Sequence, residues 1–254
     1  MHLQLGLSIS IVPSNYYSLD AFFIIPAANG FPDLPAGKAQ DNTIKLALDC
    51  EGLIFDKDNG YFISDEYGRN ITHFSQNLIS IAQIYQFSKD GVLQDVIVPP
   101  SSFIPIRNGV TSFASNNPPI FNPTLHPSPV NPERGRQNNQ GFEGLTISDK
   151  GKQLYVMLQS ALIQDLDSSK ISSTRRNTRL LEWDLHKKEW TGEWIVQLPT
   201  FIDQGATRFA AQSEVHFLDD NRFLVLTRDS GRGFGMANKT SLYRHVNPFV
   251  EGRI

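Results

Sequence analysis

Glu51, Glu143 and Glu214 each open a short strand-like run that a tight turn sends back on itself, and Asp65, Glu66, Gln159, Arg228 and Asp229 close the returning runs. Carboxylates gathered in one place repel one another unless a cation neutralises them or their pKa values rise. Glu51, Asp65, Glu66, Glu143, Glu214 and Asp229 supply hard oxygen ligands of the kind calcium prefers, and Gln159 can add a neutral carbonyl. Arg228, beside Asp229, has two readings: a fork that clamps a phosphate or carboxylate, or an internal counter-ion. Arg69, Arg134 and Arg136 fall in predicted loops near the same end and would suit an anionic ligand. A structural reading stands against all of this, in which each carboxylate accepts backbone N–H bonds or pairs with an arginine across neighbouring sheets. Taken alone, these residues support a cation plus an anionic ligand and no particular reaction.

The elements that must position them are hairpins. The first runs Glu51-Gly52-Leu53-Ile54-Phe55, turns through Asp56 to Gly60, and returns through Tyr61 to Glu66. The second runs Glu143-Gly144-Leu145-Thr146-Ile147, turns through Ser148 to Lys152, and returns through Leu154 to Ser160. The third runs Glu214 to Leu218, turns at Asp219-Asp220-Asn221, and returns through Arg222 to Asp229. Short β-branched and aromatic runs cut by Asp, Asn and Gly read as strands, and one unit occurring three times reads as a repeat. In an antiparallel hairpin the start of the first strand and the finish of the second lie at the same end. Each copy therefore carries its polar residues to one rim. Further strand-like stretches, Ile79 to Phe87 with Val92 to Val98 and Arg179 to Leu185 with Trp190 to Leu198, are expected to supply outer strands and intervening blades. The fold class that follows is all-β, a β-propeller of antiparallel blades.

Composition narrows the function. The formal net charge of -3 gives no basic field for nucleic acid. No apolar run is long enough for a spanning helix. The single cysteine, Cys50, excludes an internal disulfide and reads as a buried apolar residue. Met1 to Asn29 makes a poor secretory signal, having no Lys or Arg behind the initiator. Residues 1–40 read as a poorly defined segment, 41–254 as the propeller domain, truncated or partial, and 99–140 as a long Pro-, Asn- and Ser-rich loop over one face. Asp56 to Tyr67 fails as an EF-hand loop because its glycine falls at the wrong place, and Gly231-x-Gly233-x-Gly235 lacks the third glycine of a dinucleotide fingerprint. No Gly-x-Ser-x-Gly elbow is present. His216 reads as a structural histidine among core positions, and Trp183, Trp190 and Trp194 as packing between sheets.

Several motifs in order resemble the phytase-like family, also described as having esterase-like activity of phytase. They are Asp49-x-Glu51-Gly52-Leu53, Ser64-Asp65-Glu66-Tyr67-Gly68, Gly141-Phe142-Glu143-Gly144-Leu145, Leu154-Tyr155 with Gln159-Ser160, Arg179-Leu180-Leu181 with Asp184-Leu185, Ser213-Glu214, and Phe223-Leu224-Val225-Leu226 with Arg228-Asp229. Arg69 stands where the family tends to have proline, and Thr227 where it often has glutamate, which removes one rim carboxylate. The resemblance implies a propeller, six-bladed in the full family and incomplete here. It implies a calcium-dependent hydrolase of phosphate or other esters acting on a small anionic substrate, and an extracellular location. Glu51, Glu143 and Asp65 would then be catalytic. Arg228, Gln159 and Arg69 would bind substrate, and Glu51, Asp65, Glu66, Glu143, Glu214 and Asp229 would hold the metal. Two rivals stay open: a non-catalytic propeller with a structural cation, and a lactonase-type hydrolase, the latter by fold analogy only.

Overall fold

The computed structural model describes residues 50–57, 60–71, 80–111, 132–138, 140–167, 175–219, 222–229 and 243–250. Within them the first sheet is a four-stranded antiparallel meander, β1 (Cys50–Phe55), β2 (Tyr61–Ile71), β3 (Ser80–Phe87) and β4 (Leu93–Ile97). After the small hairpin β5 (Ile106–Arg107) and β6 (Val110–Thr111), the second meander follows as β7 (Phe142–Ile147), β8 (Gln153–Leu158), β9 (Asn177–Asp184) and β10 (Glu189–Gln197). A second small hairpin, β11 (Thr200–Asp203) and β12 (Ala206–Phe209), leads to a third meander, β13 (Ala211–Asp219), β14 (Arg222–Arg228) and β15 (Arg244–Val250). The described residues are thus all-β, in several antiparallel sheets. The initial segment 1–49 and the Gly231 to Gly235 run lie outside them.

The turns follow local chemistry. The Asp56 N–H bonds the Gly60 carbonyl at 2.9 Å, closing the first hairpin. A β-carbon on Gly60 would stand 2.5 Å from the Phe87 carbonyl oxygen, so only glycine lets β3 pass there.

Adjacency of the sheets corrects one expectation. β1 packs beside β7, and β7 beside β13, so the three hairpins occupy neighbouring sheets. The stretches between them add the third and fourth strands of the same sheets, and no intervening sheet separates the copies among the described residues. The wider first interval is taken up by the excursion between β4 and β7 instead.

The core sits between sheets. Phe62, Ile84 and Ile97 of the first sheet meet Leu145, Leu154, Val156 and Leu181 of the second in one buried cluster. On its other face the second sheet presents Tyr155, Met157, Leu180, Trp194 and Val196 to Val215, Phe217, Phe223 and Val225 of the third. The alternation is that of strands buried on both faces: on β8 the even-numbered apolar residues face the first sheet and the odd-numbered ones the third. Tyr155 anchors the second interface, stacking on Phe217 at 5.6 Å and meeting Phe223 edge-on at 4.9 Å. Trp194 is buried there, while Trp183 and Trp190 pair edge to face and the Trp190 indole donates to the Val98 carbonyl, tying the second sheet to the first. Cys50 is half-buried beside Ile63 and Tyr85, not sealed in the core. His216 is exposed, because Val215 and Phe217 take the interior positions on either side of it.

Candidate functional site

The inner strands β1, β7 and β13 start where β2, β8 and β14 finish, and each inner strand is irregular at that same place. The pairing shifts between Cys50 and Leu53, between Phe142 and Gly144, and between Gln212 and Glu214. An extra residue at this point is a β-bulge, which re-aims side chains beside it.

Register assigns the equivalent positions. Phe142 pairs with Leu158 and Gly144 with Met157, whereas Gln212 pairs with Thr227 and Glu214 with Leu226. Glu214 therefore stands in the place of Gly144, and Ser213 in the place of Glu143. The sequence alignment of Glu214 with Glu51 and Glu143 is one residue out of step with the strand pairing, which is enough to change the face a side chain occupies. Glu214 Oε1 accepts the Val215 N–H at 2.9 Å and the Leu145 N–H at 3.2 Å, joining the third sheet to the second. Burial pushes its pKa up to about 7, outweighing the two N–H bonds that favour the charged form.

Glu143 is the centre of the polar cluster that the fold assembles. Its side chain is 5% exposed. Gln159 Nε2 donates to Glu143 Oε1, and Arg228 Nη2 lies 3.5 Å from the same oxygen. Arg228 Nε donates to Ser213 Oγ at 2.8 Å, and the Arg228 side chain remains 24% exposed. Two sheets thus supply one constellation of acid, amide, guanidinium and hydroxyl. Ser213 is the member that sequence reasoning missed, although Ser213-Glu214 was singled out as a pair; its signal is visible only in the register.

The other predicted residues are placed as follows. Glu51 lies half-buried on β1 at the shift in pairing. Asp65 and Glu66 are buried at the finish of the first hairpin, Asp65 opposite Cys50. Arg69 lies farther along β2, opposite Ala82. Asp229 is buried, and its Oδ2 accepts the Tyr243 N–H at 3.2 Å. Arg136 is buried, with its N–H on the Phe103 carbonyl, while Arg134 is exposed and bridges Ile106.

Among the described residues no three His, Cys, Asp or Glu side chains form a group that could hold a metal ion. Glu143 faces a guanidinium and an amide.

The described parts of the 99–140 excursion, residues 99–111 and 132–138, wall this end of the second sheet. Phe103 stacks on Phe142 at 5.8 Å, and Gln137 Nε2 donates to Ser160 Oγ and the Ala161 carbonyl. Gly135 has φ +90°, and a β-carbon on it would stand 2.3 Å from the Ile104 carbonyl oxygen. Its N–H is held by Gln164 Oε1, whose amide nitrogen in turn reaches the Ser102 carbonyl. A cleft of about 320 Å³ lined by Phe62, Asp95, Ile97, Lys152, Trp183 and Lys188 opens between the first two sheets, but at the opposite, turn-bearing end.

Comparison with known proteins adds the following. The family described as "Phytase-like: Esterase-like activity of phytase" matches residues 29–248. A protein of Arthroderma benhamiae described as an "Uncharacterized secreted protein" is 39% identical over 234 residues, covering 86% of this chain and 43% of the relative. The chain spans less than half the length of that relative. Among solved structures, "Structure of U3-55K" aligns at 10% identity over 72% of this chain and 47% of that one, with a TM-score of 0.26. "Crystal structure of AFV00434, an ancestral GH74 enzyme" aligns at 13% identity over 82% and 28%, with a TM-score of 0.27. Likenesses in shape this slight bear on neither fold nor function. Among the described residues no helix is long and apolar enough to cross a membrane.

Proposed function

The chain belongs to the phytase-like family, and on that premise we propose that it carries part of a hydrolase site for phosphate or other esters, at the end where Glu143, Gln159, Arg228 and Ser213 converge. The observation that carries the reading is the contact of Arg228 with both Glu143 and Ser213, which draws residues from the second and third sheets into one mouth. Family membership supports the reaction class, and the contacts of Arg228 support the roles.

In this reading Arg228 holds the anionic part of the ester and stabilises the charge that grows on oxygen in the transition state. Glu143 positions that guanidinium and, as the buried carboxylate at its side, takes the proton from the attacking water. Gln159 orients Glu143 through its amide. Glu51 and Asp65, at the neighbouring mouth of the first sheet, complete the acidic side. Calcium at the acidic end is proposed on the family resemblance. The secreted description of the fungal relative supports an extracellular place of action. The proposal further has the three sheets as consecutive blades of a propeller.

The test is turnover of 4-nitrophenyl phosphate and 4-nitrophenyl acetate by the full-length protein, with Glu143→Gln and Arg228→Gln. Each variant is expected to lose on the order of 10²-fold or more in kcat/KM while keeping its circular dichroism. Wild-type rates in both folded variants would remove the site. Anion binding without turnover would favour the non-catalytic rival.

A further inference from the structure

We infer that the cleft at the turn-bearing end, away from the proposed ester site and independent of it, binds a neutral carbohydrate. Register builds one wall from the first sheet: Phe62 pairs with Gln86 and Gln86 with Asp95, so the three side chains stand in a row on one face. That is the face whose Phe62, Ile84 and Ile97 pack on the second sheet. The facing wall is Trp183, which pairs with Leu154 on one side and Trp190 on the other and so shares the face that meets the first sheet. Trp190 meets its ring edge to face at 5.0 Å. The interface is therefore apolar toward its middle, and it gains an amide, a carboxylate and an indole where the sheets part around a space of about 320 Å³.

The chemistry of the lining selects the ligand. Its carboxylates, Asp56 and Asp95, are matched by the ammonium groups of Lys152 and Lys188, so the cleft offers no net field to an anion or a cation. Among the described residues the side chains of Asp56, Gln86, Lys152 and His186 make no hydrogen bond or ion pair, which leaves both donors and acceptors to be used. A hydroxyl both donates and accepts, and a ring that carries several of them beside an apolar C–H face can meet such groups while packing that face on an indole. The volume stands at the small end of the range for ligand sites, roughly 300–1,000 Å³, and suits a mono- or disaccharide. The Lys188 backbone has φ +56°, a left-handed conformation that ordinarily falls to glycine or asparagine, and its ammonium reaches Asp95 Oδ2 at 2.6 Å, bridging the two walls. A glycine there would relieve the turn and lose the bridge.

The experiment is calorimetric titration of the full-length protein with methyl glucoside, cellobiose and maltose, and with glucuronate and glucosamine as charged comparisons. Trp183→Ala, Gln86→Leu and Lys188→Gly are set against wild type, with Glu189→Gln, an exposed acid of the same hairpin outside the cleft lining, as control. At least one neutral sugar is expected to bind, equally well at low and high salt, and neither charged sugar to bind more tightly. Affinity should fall about tenfold in Trp183→Ala and in Gln86→Leu, fall less in Lys188→Gly without a drop in its melting temperature, and hold in Glu189→Gln. Because Trp183 packs against the core, Gln86→Leu and Lys188→Gly decide the question if Trp183→Ala does not fold. Turnover of 4-nitrophenyl phosphate should be the same in Gln86→Leu as in wild type, so failure of the ester site and failure of the cleft are read separately. No binding of any of the three neutral sugars by wild type, undiminished affinity in both Gln86→Leu and Lys188→Gly, or tighter, salt-sensitive binding of a charged sugar would each overturn the inference.

Discussion

Gly52 lies so close to Glu143 that a β-carbon on the glycine would stand 2.6 Å from the glutamate's carbonyl oxygen, and Gly144 repeats the relation one sheet on, 2.6 Å from the Val215 backbone nitrogen. The glycine after each of the first two glutamates is therefore the point where the next inner strand passes. Ser64 reinforces the first crossing: its Oγ accepts the Gly52 N–H at 2.8 Å and donates to the Glu143 carbonyl at 3.2 Å.

Because the atoms met at both glycines include backbone, a methyl group cannot be absorbed by a side-chain swing. Gly52→Ala and Gly144→Ala are each expected to lose about 1–3 kcal/mol, read as a lower urea midpoint at unchanged slope. An unshifted midpoint in both would mean that the inner strands are not neighbours.

Glu214 should make stability depend on pH in a defined direction. Its folded pKa is raised from 4.5 to about 7, so the native state holds the proton more tightly than the unfolded chain. The stabilisation is complete below about pH 4.5 and fades as pH rises through 7. Glu214→Gln keeps the acceptor oxygen and removes the titration. It should match wild type at pH 4.5 and exceed it by on the order of 1–3 kcal/mol at pH 8. Parallel denaturation curves of the two proteins across that range would show that burial at this carboxyl carries no energetic weight.

Calcium gives a third measurement. If the acidic mouth holds calcium, added calcium should raise the melting temperature of the full-length protein and chelator lower it, and Glu143→Gln should lose the effect. Shifts of less than about 2 °C with either would remove the cation from the proposed site.

How much of this was legible follows from what a linear pattern can carry. The three hairpins, their turns and the rim shared by Glu143, Gln159 and Arg228 were readable, since period-two alternation and turn residues are local, and antiparallel pairing alone sends strand starts and finishes to one end. The family, too, was readable from the motifs taken in order. Membership of the outer strands was not, because nothing local tells a third strand of one sheet from the first of another.

The finer site was decided by tertiary structure. Glu214 matches Glu143 by type and by its place before the hairpin, yet the extra residue in β13 puts Ser213 in that position and turns Glu214 to the sheet interface. His216 likewise sits on a strand of core residues but on its exposed face. Local composition determined which segments become strands; the one-residue irregularities and the order of sheet packing determined which side chains meet, because shifting a strand by a single position exchanges its faces.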